Sequence, residues 1–124
     1  MNKVMLVGNL ARDPELTTTQ GGTAACRFTL AVGRRYKNQS GEREADFIQC
    51  VAWRHTAEFI SKYFTWGQKI GVCGSIQTRS YTGQDGSRRY ATEVMADEAE
   101  FVSQSRGDVP AEVEEDLIEG IKTH

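Results

Sequence analysis

Apolar and polar residues alternate along four separate segments of this 124-residue chain, and a fifth segment, residues 3–10, is a run of β-branched and aliphatic residues. Because successive side chains of a β-strand point to opposite faces, a period of two predicts strands with one buried face. The predicted strands span residues 3–10, 24–36, 45–53, 68–81 and 88–102. Between the third and the fourth, apolar residues recur at helical spacing over residues 54–66, and Thr56 and Gly67 suit the start and the end of a short helix.

The order of three strands, one helix and two strands predicts an all-β fold. It is the order of the five-stranded Greek-key barrel of the oligonucleotide-binding (OB) type, with one short helix between strands 3 and 4. The alternation favours a core lined by Val4 to Leu10, Phe28 to Val32 and Ile48 to Ala52. Spacing alone also fits a five-stranded, sandwich-like α+β domain. We further expect four phenylalanines in the core and two residues sealing a barrel opening, namely Phe28, Phe59, Phe64 and Phe101, and Tyr63 and Trp66.

The net charge of −2 hides an uneven distribution along the chain. Residues 1–102 contain 13 basic and 11 acidic side chains, whereas residues 103–124 contain 2 and 6. We therefore expect one mildly basic domain over residues 1–102 and a short, acidic, disordered C-terminal tail over residues 103–124. No apolar run approaches the ~20 residues that span a bilayer. The N-terminus lacks the pattern of a secretory signal, so we expect a cytoplasmic protein without membrane contact.

Few residues could support catalysis or cofactor binding. The segment GNLARDP lacks the lysine–serine pair of a phosphate-binding loop, and no serine or cysteine has a nearby histidine with a third orienting group. Cys26, Cys50 and Cys73 lie singly in apolar segments, which favours buried, reduced thiols. The two histidines, His55 and His124, offer no zinc cluster. We expect no enzyme activity, no metal and no cofactor.

Aromatic and basic residues occur together at strand ends and on one strand face. In ADFIQCVAW (45–53), Phe47 and Trp53 share one face, and the small aliphatic residues of the other face match a barrel interior. The two rings would then point outward about 20 Å apart, although core or subunit-interface packing is the open alternative. Tyr36 and Tyr81 each stand beside basic residues, and Tyr90 is a candidate for cross-strand packing.

Such a surface suits single-stranded nucleic acid. Aromatic rings stack bases whatever their identity, and basic side chains neutralise phosphates. The candidate phosphate-binding residues are Arg34, Arg35, Lys37, Arg54, Arg79, Arg88 and Arg89.

The chain resembles the bacterial single-stranded DNA-binding protein family over about residues 1–102. The resemblance lies in MNKVMLVGNLARDPEL, FTLAVGRRYKNQSGEREADFIQCVAW and GSIQTRSYTGQDGSRRYATEV. It implies sequence-independent binding and protection of single-stranded DNA in replication, recombination and repair, by a nucleoid-associated homotetramer. It also implies that residues 3–9 pair across a subunit two-fold axis. The implied base-stacking residues are Tyr36, Phe47, Trp53 and Tyr81, and three of these positions are often tryptophan in other members.

The tail SQSRGDVPAEVEEDLIEGIKTH (103–124) departs from the family pattern. Many members carry a long linker and an acidic tip with a terminal Pro-Phe that recruits replication and repair proteins, whereas this tail is short and lacks that ending. Val113, Leu117 and Ile121 recur every four residues among acidic ones, so a small amphipathic helix is the alternative to a disordered tail. Recruitment of such partners by this tail is therefore a hypothesis. Two other functions stay open, namely an OB-fold protein-interaction module of a primosome or translation component, and a metal-dependent nuclease.

Overall fold

The computed structural model describes residues 1–102 of the chain. Its elements in chain order are β1 (Val4–Leu10), β2 (Glu15–Thr18), β3 (Ala24–Lys37), β4 (Arg43–Trp53), α1 (Arg54–Tyr63), β5 (Lys69–Thr82) and β6 (Arg88–Phe101). All five predicted strands are present, and each boundary lies within about two residues of its prediction. The predicted acidic tail lies outside the described residues.

One strand, β2, is absent from the sequence-based prediction. All four of its residues are exposed, so it shows none of the alternation that identifies the other strands. It pairs antiparallel with the first four residues of β3, from Ala24 to Arg27. The turn between them has Gly22 at a φ of 84° and a backbone hydrogen bond from Thr19 N to Thr23 O. Backbone pairing alone thus defines this edge strand, which is why the hydrophobic pattern misses it.

Five strands close into a barrel. Hydrogen-bonded neighbours follow the order β1, β5, β6, β4 and β3, and β3 returns to β1 through the pairs Asn9–Ala31 and Leu10–Leu30. Only the three-residue ladder between β4 and β6 is parallel among the described strands. In chain order α1 lies between the third and the fourth barrel strand. The predicted OB barrel is therefore confirmed, and the sandwich-like alternative is wrong.

The inward-facing side chains of the barrel form one core. Its members with the least exposure are Leu10, Cys26, Phe28, Leu30, Cys50, Ala52, Ala57, Ile60, Phe64, Ile70 and Ala96. Phe59 and Phe101 pack against this core, and the rings of Phe64 and Phe101 stack with centroids 4.5 Å apart. The core positions predicted for the four phenylalanines are confirmed.

α1 seals one end of the barrel with Ala57, Ile60 and Tyr63, which are all buried. The predicted sealing role is confirmed for Tyr63. It is wrong for Trp66, whose side chain is 69% exposed in the connection to β5. Within residues 1–102 no helix has the length and the apolar character that crossing a membrane requires.

The predicted helix boundaries need correction. β4 runs directly into α1, so the helix begins at Arg54, with a φ of 56°, and no side chain caps it. Thr56 is therefore already inside the helix, and its Oγ1 donates to the carbonyl of Asp97 at 3.0 Å. Gly67 does adopt a left-handed φ of 86°, but it lies in the turn before β5 rather than directly after the helix.

Candidate nucleic-acid interface

Four neighbouring strands, β3, β4, β6 and β5, present one continuous outer face of the barrel. The registers between them and the two-residue period decide which side chains share this face. β3 and β4 contribute Arg27, Thr29, Ala31, Phe47, Gln49, Val51 and Trp53. β5 and β6 contribute Gln77, Arg79, Tyr81, Arg89, Ala91, Glu93 and Met95. We call this set of residues the outer face.

Two aromatic rings of the outer face stand on β4. Phe47 is 67% exposed and Trp53 is partly exposed, so the prediction that both point outward is confirmed and core packing within the chain is wrong. The six-residue separation between them corresponds to about 20 Å of strand. Val51 lies between them on the same face, yet it is only 2% exposed.

The other two predicted stacking residues lie at strand ends. Tyr81 stands on β5 directly opposite Arg89 of β6, and the guanidinium carbon of Arg79 lies 5.4 Å from the Tyr81 ring centroid. That separation allows a cation–π contact. Tyr36 is exposed near the end of β3, within the register irregularity between Gly33 and Lys37.

Tyr90 belongs to the opposite face of the β5–β6 hairpin. It pairs with Ser80, one residue out of phase with Tyr81. Its side chain is 74% exposed, which argues against a cross-strand packing role within residues 1–102. Arg88 lies on the same face, since its Nη2 donates to Ser80 Oγ at 3.2 Å. The hairpin thus separates two exposed tyrosines onto two faces.

A charged cluster occupies the middle of the outer face. Arg27 Nη1 lies 3.2 Å from Glu93 Oε2, and Arg79 Nε lies 3.2 Å from Glu93 Oε1. The three residues come from β3, β5 and β6, and the Arg27–Glu93 bridge crosses β4 at Val51. Two positive charges and one negative charge leave this cluster with a net charge of about +1 at neutral pH.

The remaining predicted phosphate-binding residues differ in their surroundings. Arg34 donates to Asp46 at 2.9 Å and to Glu44 at 3.1 Å, on the face opposite Phe47. Its hydrogen bond lowers the pKa of Asp46 and raises the pKa of Arg34 itself. Arg89 pairs loosely with Asp85 at 3.4 Å. Within residues 1–102, four of the predicted cations have no carboxylate at ion-pair distance, namely Arg35, Lys37, Arg54 and Arg88.

A match to a family model decides which family carries this surface. The model of the single-strand binding protein family matches residues 1–102, which is the whole described part of the chain. The chain belongs to the single-strand binding protein family.

Curated relatives of this family member agree with the match. The single-stranded DNA-binding protein of Bacillus cereus is 52% identical over 107 residues, which are 86% of this chain and 63% of the relative. That of Halalkalibacterium halodurans is 53% identical over 111 residues, covering 86% of this chain and 66% of the relative. Single-stranded DNA-binding protein A of Bacillus subtilis is 50% identical over 107 residues, covering 86% and 62%. The chain therefore spans just under two thirds of the length of these relatives.

The binding site predicted from the sequence does not include three residues of the outer face, namely Arg27, Glu93 and Gln49. Arg27 has a usable signal, because it alternates with the buried Cys26 and Phe28 and must therefore point outward. Glu93 likewise alternates with the buried Val94 and Ala96, but its contact with Arg27 depends on the parallel pairing of β4 with β6, which joins residues more than 40 positions apart. Gln49 Oε1 accepts a hydrogen bond from Thr29 Oγ1 at 3.3 Å beside this cluster.

Residues 1–102 contain no group of three histidine, cysteine, aspartate or glutamate side chains placed to hold a metal ion. Burial raises the pKa of the Cys26 thiol to about 11. Burial, together with the charge of Glu93, raises the pKa of the Cys50 thiol to about 12. Both thiols therefore stay protonated at neutral pH, which disfavours nucleophilic chemistry there.

Proposed function

We propose that this chain binds single-stranded DNA without sequence preference and protects it in replication, recombination and repair, without catalysing a reaction. One observation carries the proposal, namely that exposed Phe47, Trp53 and Tyr81 share the outer face with the cationic cluster of Arg27, Arg79 and Glu93. Membership of the family and the names of its relatives, which are single-stranded DNA-binding proteins, support it.

Stacking explains the aromatic part of this surface. A ring exposed on a rigid strand stays in contact with water until a base covers it, and each such base contributes about 1–3 kcal/mol. Every base has a π-face, so the contact carries little sequence information. Rings on β4 and β5 are held by the barrel ladders, which preorganises them for a flexible ligand.

Phosphate neutralisation explains the basic part. Each phosphate that the protein neutralises on a single strand contributes about 0.7 to the slope of log affinity against log salt. We assign these contacts first to the predicted residues whose charged groups are exposed near the outer face. Arg34 and Arg88 rank lower, because each lies on the side of its hairpin that faces away from the outer face. The first group comprises Arg35, Lys37, Arg54, Arg79 and Arg89.

We also propose that the chain assembles as a homotetramer through β1. Met5 and Val7 point outward and are exposed, although both are large and apolar. Residues 4–9 of β1 pair with β5 on one side, while pairing with β3 begins at Asn9. Before Gly8, which already lies against Ala31 of β3, the other side of β1 is thus an open edge that a second copy could pair with. We further propose that residues 103–124, which lie outside the described part of the chain, recruit replication and repair proteins.

Titration of a fluorescent oligo-dT, against a duplex of the same length, tests DNA binding. We expect a strong preference for the single strand and an affinity that falls steeply with salt. Equal affinity for both would contradict the proposal and favour a protein-interaction module instead. Cleavage of labelled strand in the presence of Mg²⁺ would instead favour the nuclease.

Two exposed tyrosines on one hairpin provide a matched pair of variants. Tyr81→Ala should weaken oligo-dT binding about 5- to 150-fold, the equivalent of one stacked base. Tyr90→Ala removes an equally large exposed ring from the other face and should leave affinity within about twofold. Combining Tyr81→Ala with Trp53→Ala should weaken binding more than about tenfold. Equal losses at Tyr81 and Tyr90 would mean that the outer face is not the stacking surface.

A further inference from the structure

Glu93 is a carboxylate in the middle of the outer face, where the proposed ligand is a polyanion. Its side chain is only 13% exposed, so it has lost most of its contact with water. Burial of a carboxylate is costly unless cations and hydrogen bonds offset it, and here both partners are arginines. The negative charge of Glu93 would repel DNA phosphates, so a contribution of charge alone does not explain its position.

The geometry of the cluster suggests what that role is. Each carboxylate oxygen of Glu93 accepts one hydrogen bond, from Arg27 Nη1 and from Arg79 Nε. A guanidinium has five N–H donors, so four on each arginine remain for other acceptors. Both arginine side chains are about half exposed, so these donors have access to solvent. Val51 lies beneath the bridge and is buried, so the cluster rests on a packed surface.

The cluster also lies between two predicted stacking residues. The β4–β6 and β5–β6 registers place Glu93 level with Gln49 and Gln77, with Trp53 towards one end of the strands and Tyr81 towards the other. Arg79 additionally lies against the Tyr81 ring. A single strand whose bases stack on Trp53 and Tyr81 would carry backbone phosphates across Arg27 and Arg79.

We propose that Glu93 is a positioning residue that holds Arg27 and Arg79 together as a clamp for DNA phosphate. Without the carboxylate, two like charges would sit close together and two long side chains would move among many rotamers. With it, both guanidinium groups are fixed before the strand arrives, so less ordering is needed on binding. This inference rests on the proposed binding of single-stranded DNA.

The test is the direction in which Glu93→Gln changes affinity. Removal of a negative charge from a DNA-binding surface should tighten oligo-dT binding if only net charge matters. Positioning predicts the opposite, a loss of about three- to tenfold, because a neutral amide holds two guanidinium groups less firmly than a carboxylate does. Glu58→Gln, an exposed carboxylate on α1, is the matched control and should give unchanged or slightly tighter binding.

A second background separates positioning from a general loss of structure. With both Arg27 and Arg79 replaced by alanine, Glu93 has nothing to position and is an uncompensated negative charge. Glu93→Gln should then tighten binding, so that the sign of its effect reverses. A loss of affinity in both backgrounds would overturn the proposal, as would tighter binding in the wild-type background.

The single variants keep the proposal falsifiable if Glu93→Gln folds poorly. Arg27→Ala and Arg79→Ala alter half-exposed side chains, and each should lower the salt slope of oligo-dT binding by about 0.7. An unchanged slope in both would overturn the clamp. If the unaltered protein itself shows no preference for oligo-dT, the proposed function fails. If it binds and only the Glu93 and arginine results disagree, the clamp alone fails.

Discussion

Replacement of Gly74 by alanine tests a close approach between β5 and β6 of the barrel. A Cβ at this position of β5 would lie 1.8 Å from the carbonyl oxygen of Met95 and 3.1 Å from the Cα of Ala96. Real Cβ atoms essentially never come within 3.0 Å of such atoms, and both belong to the backbone of β6. The two strands would therefore have to separate by about 1 Å or more at this point.

The size of the effect follows from the hydrogen bonds that such a shift would break. Two or three bonds of the β5–β6 ladder lie within reach, and each buried group left without a partner costs about 1–3 kcal/mol. We therefore expect the free energy of unfolding to fall by about 3–5 kcal/mol. For a domain of this size the melting temperature would fall by about 12 °C or more.

Gly33→Ala is the matched control. It is also a strand glycine, and the nearest atom to its added Cβ would be Arg43 Cδ at 4.0 Å. We expect its stability to stay within about 1 kcal/mol of the unaltered protein. Urea unfolding followed by circular dichroism, at one fixed protein concentration, measures both variants. A Gly74→Ala protein as stable as the control would refute the close approach and, with it, the described β5–β6 register.

Three further predictions concern other contacts. Asn2→Ala should lower the free energy of unfolding by about 1–2 kcal/mol, because the Asn2 amide donates to Ile76 O and accepts from Ile76 N. Asn2→Asp keeps the acceptor but cannot donate, so in the same urea experiment it should lower the free energy of unfolding by about half as much. Cys50, with a pKa of about 12, should resist iodoacetamide at pH 8 until urea unfolds the protein. Mass spectrometry measures the labelling, and equal rates before and after unfolding would contradict the burial of Cys50. The pKa of Asp46 is lower in the folded protein, so its ionised form adds stability above the unfolded pKa, and this stability is lost as pH falls through the folded pKa. Asp46→Asn should therefore flatten the acid side of a plot of unfolding free energy against pH. An unchanged plot would argue against the pairing of Asp46 with Arg34.

The barrel strands are predictable because apolar residues recur at every second position along their inner faces. Phe28 and Leu30 are buried on alternate positions of β3, and the change to helical spacing after Trp53 identifies α1. Where contacts are made by the backbone alone, the period carries no signal. β2 is fully exposed, so alternation does not predict it, and the position of Trp66 next to the helix does not indicate the direction of its ring.

The candidate site was predictable only in part, for a related reason. Exposed aromatic residues on a strand, such as Phe47 and Trp53, can be read from alternation along one segment. The partners of each arginine cannot be predicted in this way, because they lie on strands that come from distant parts of the chain. Arg34 looks equivalent to Arg79 in sequence, yet one is bound to two carboxylates on the opposite face and the other lies beside Tyr81.

The β5–β6 register links the fold to the proposed binding surface. Cys73 pairs with Glu98, but after the irregularity at Gly74 the pairing advances by one residue. If the earlier register continued, Arg79 would stand opposite Thr92, and Glu93 would turn to the other face of the sheet. The irregularity therefore places Arg79 and Glu93 on the same face, at ion-pair distance. Gly74, which alone permits the close approach there, thus determines whether the clamp can exist, although it contacts neither arginine.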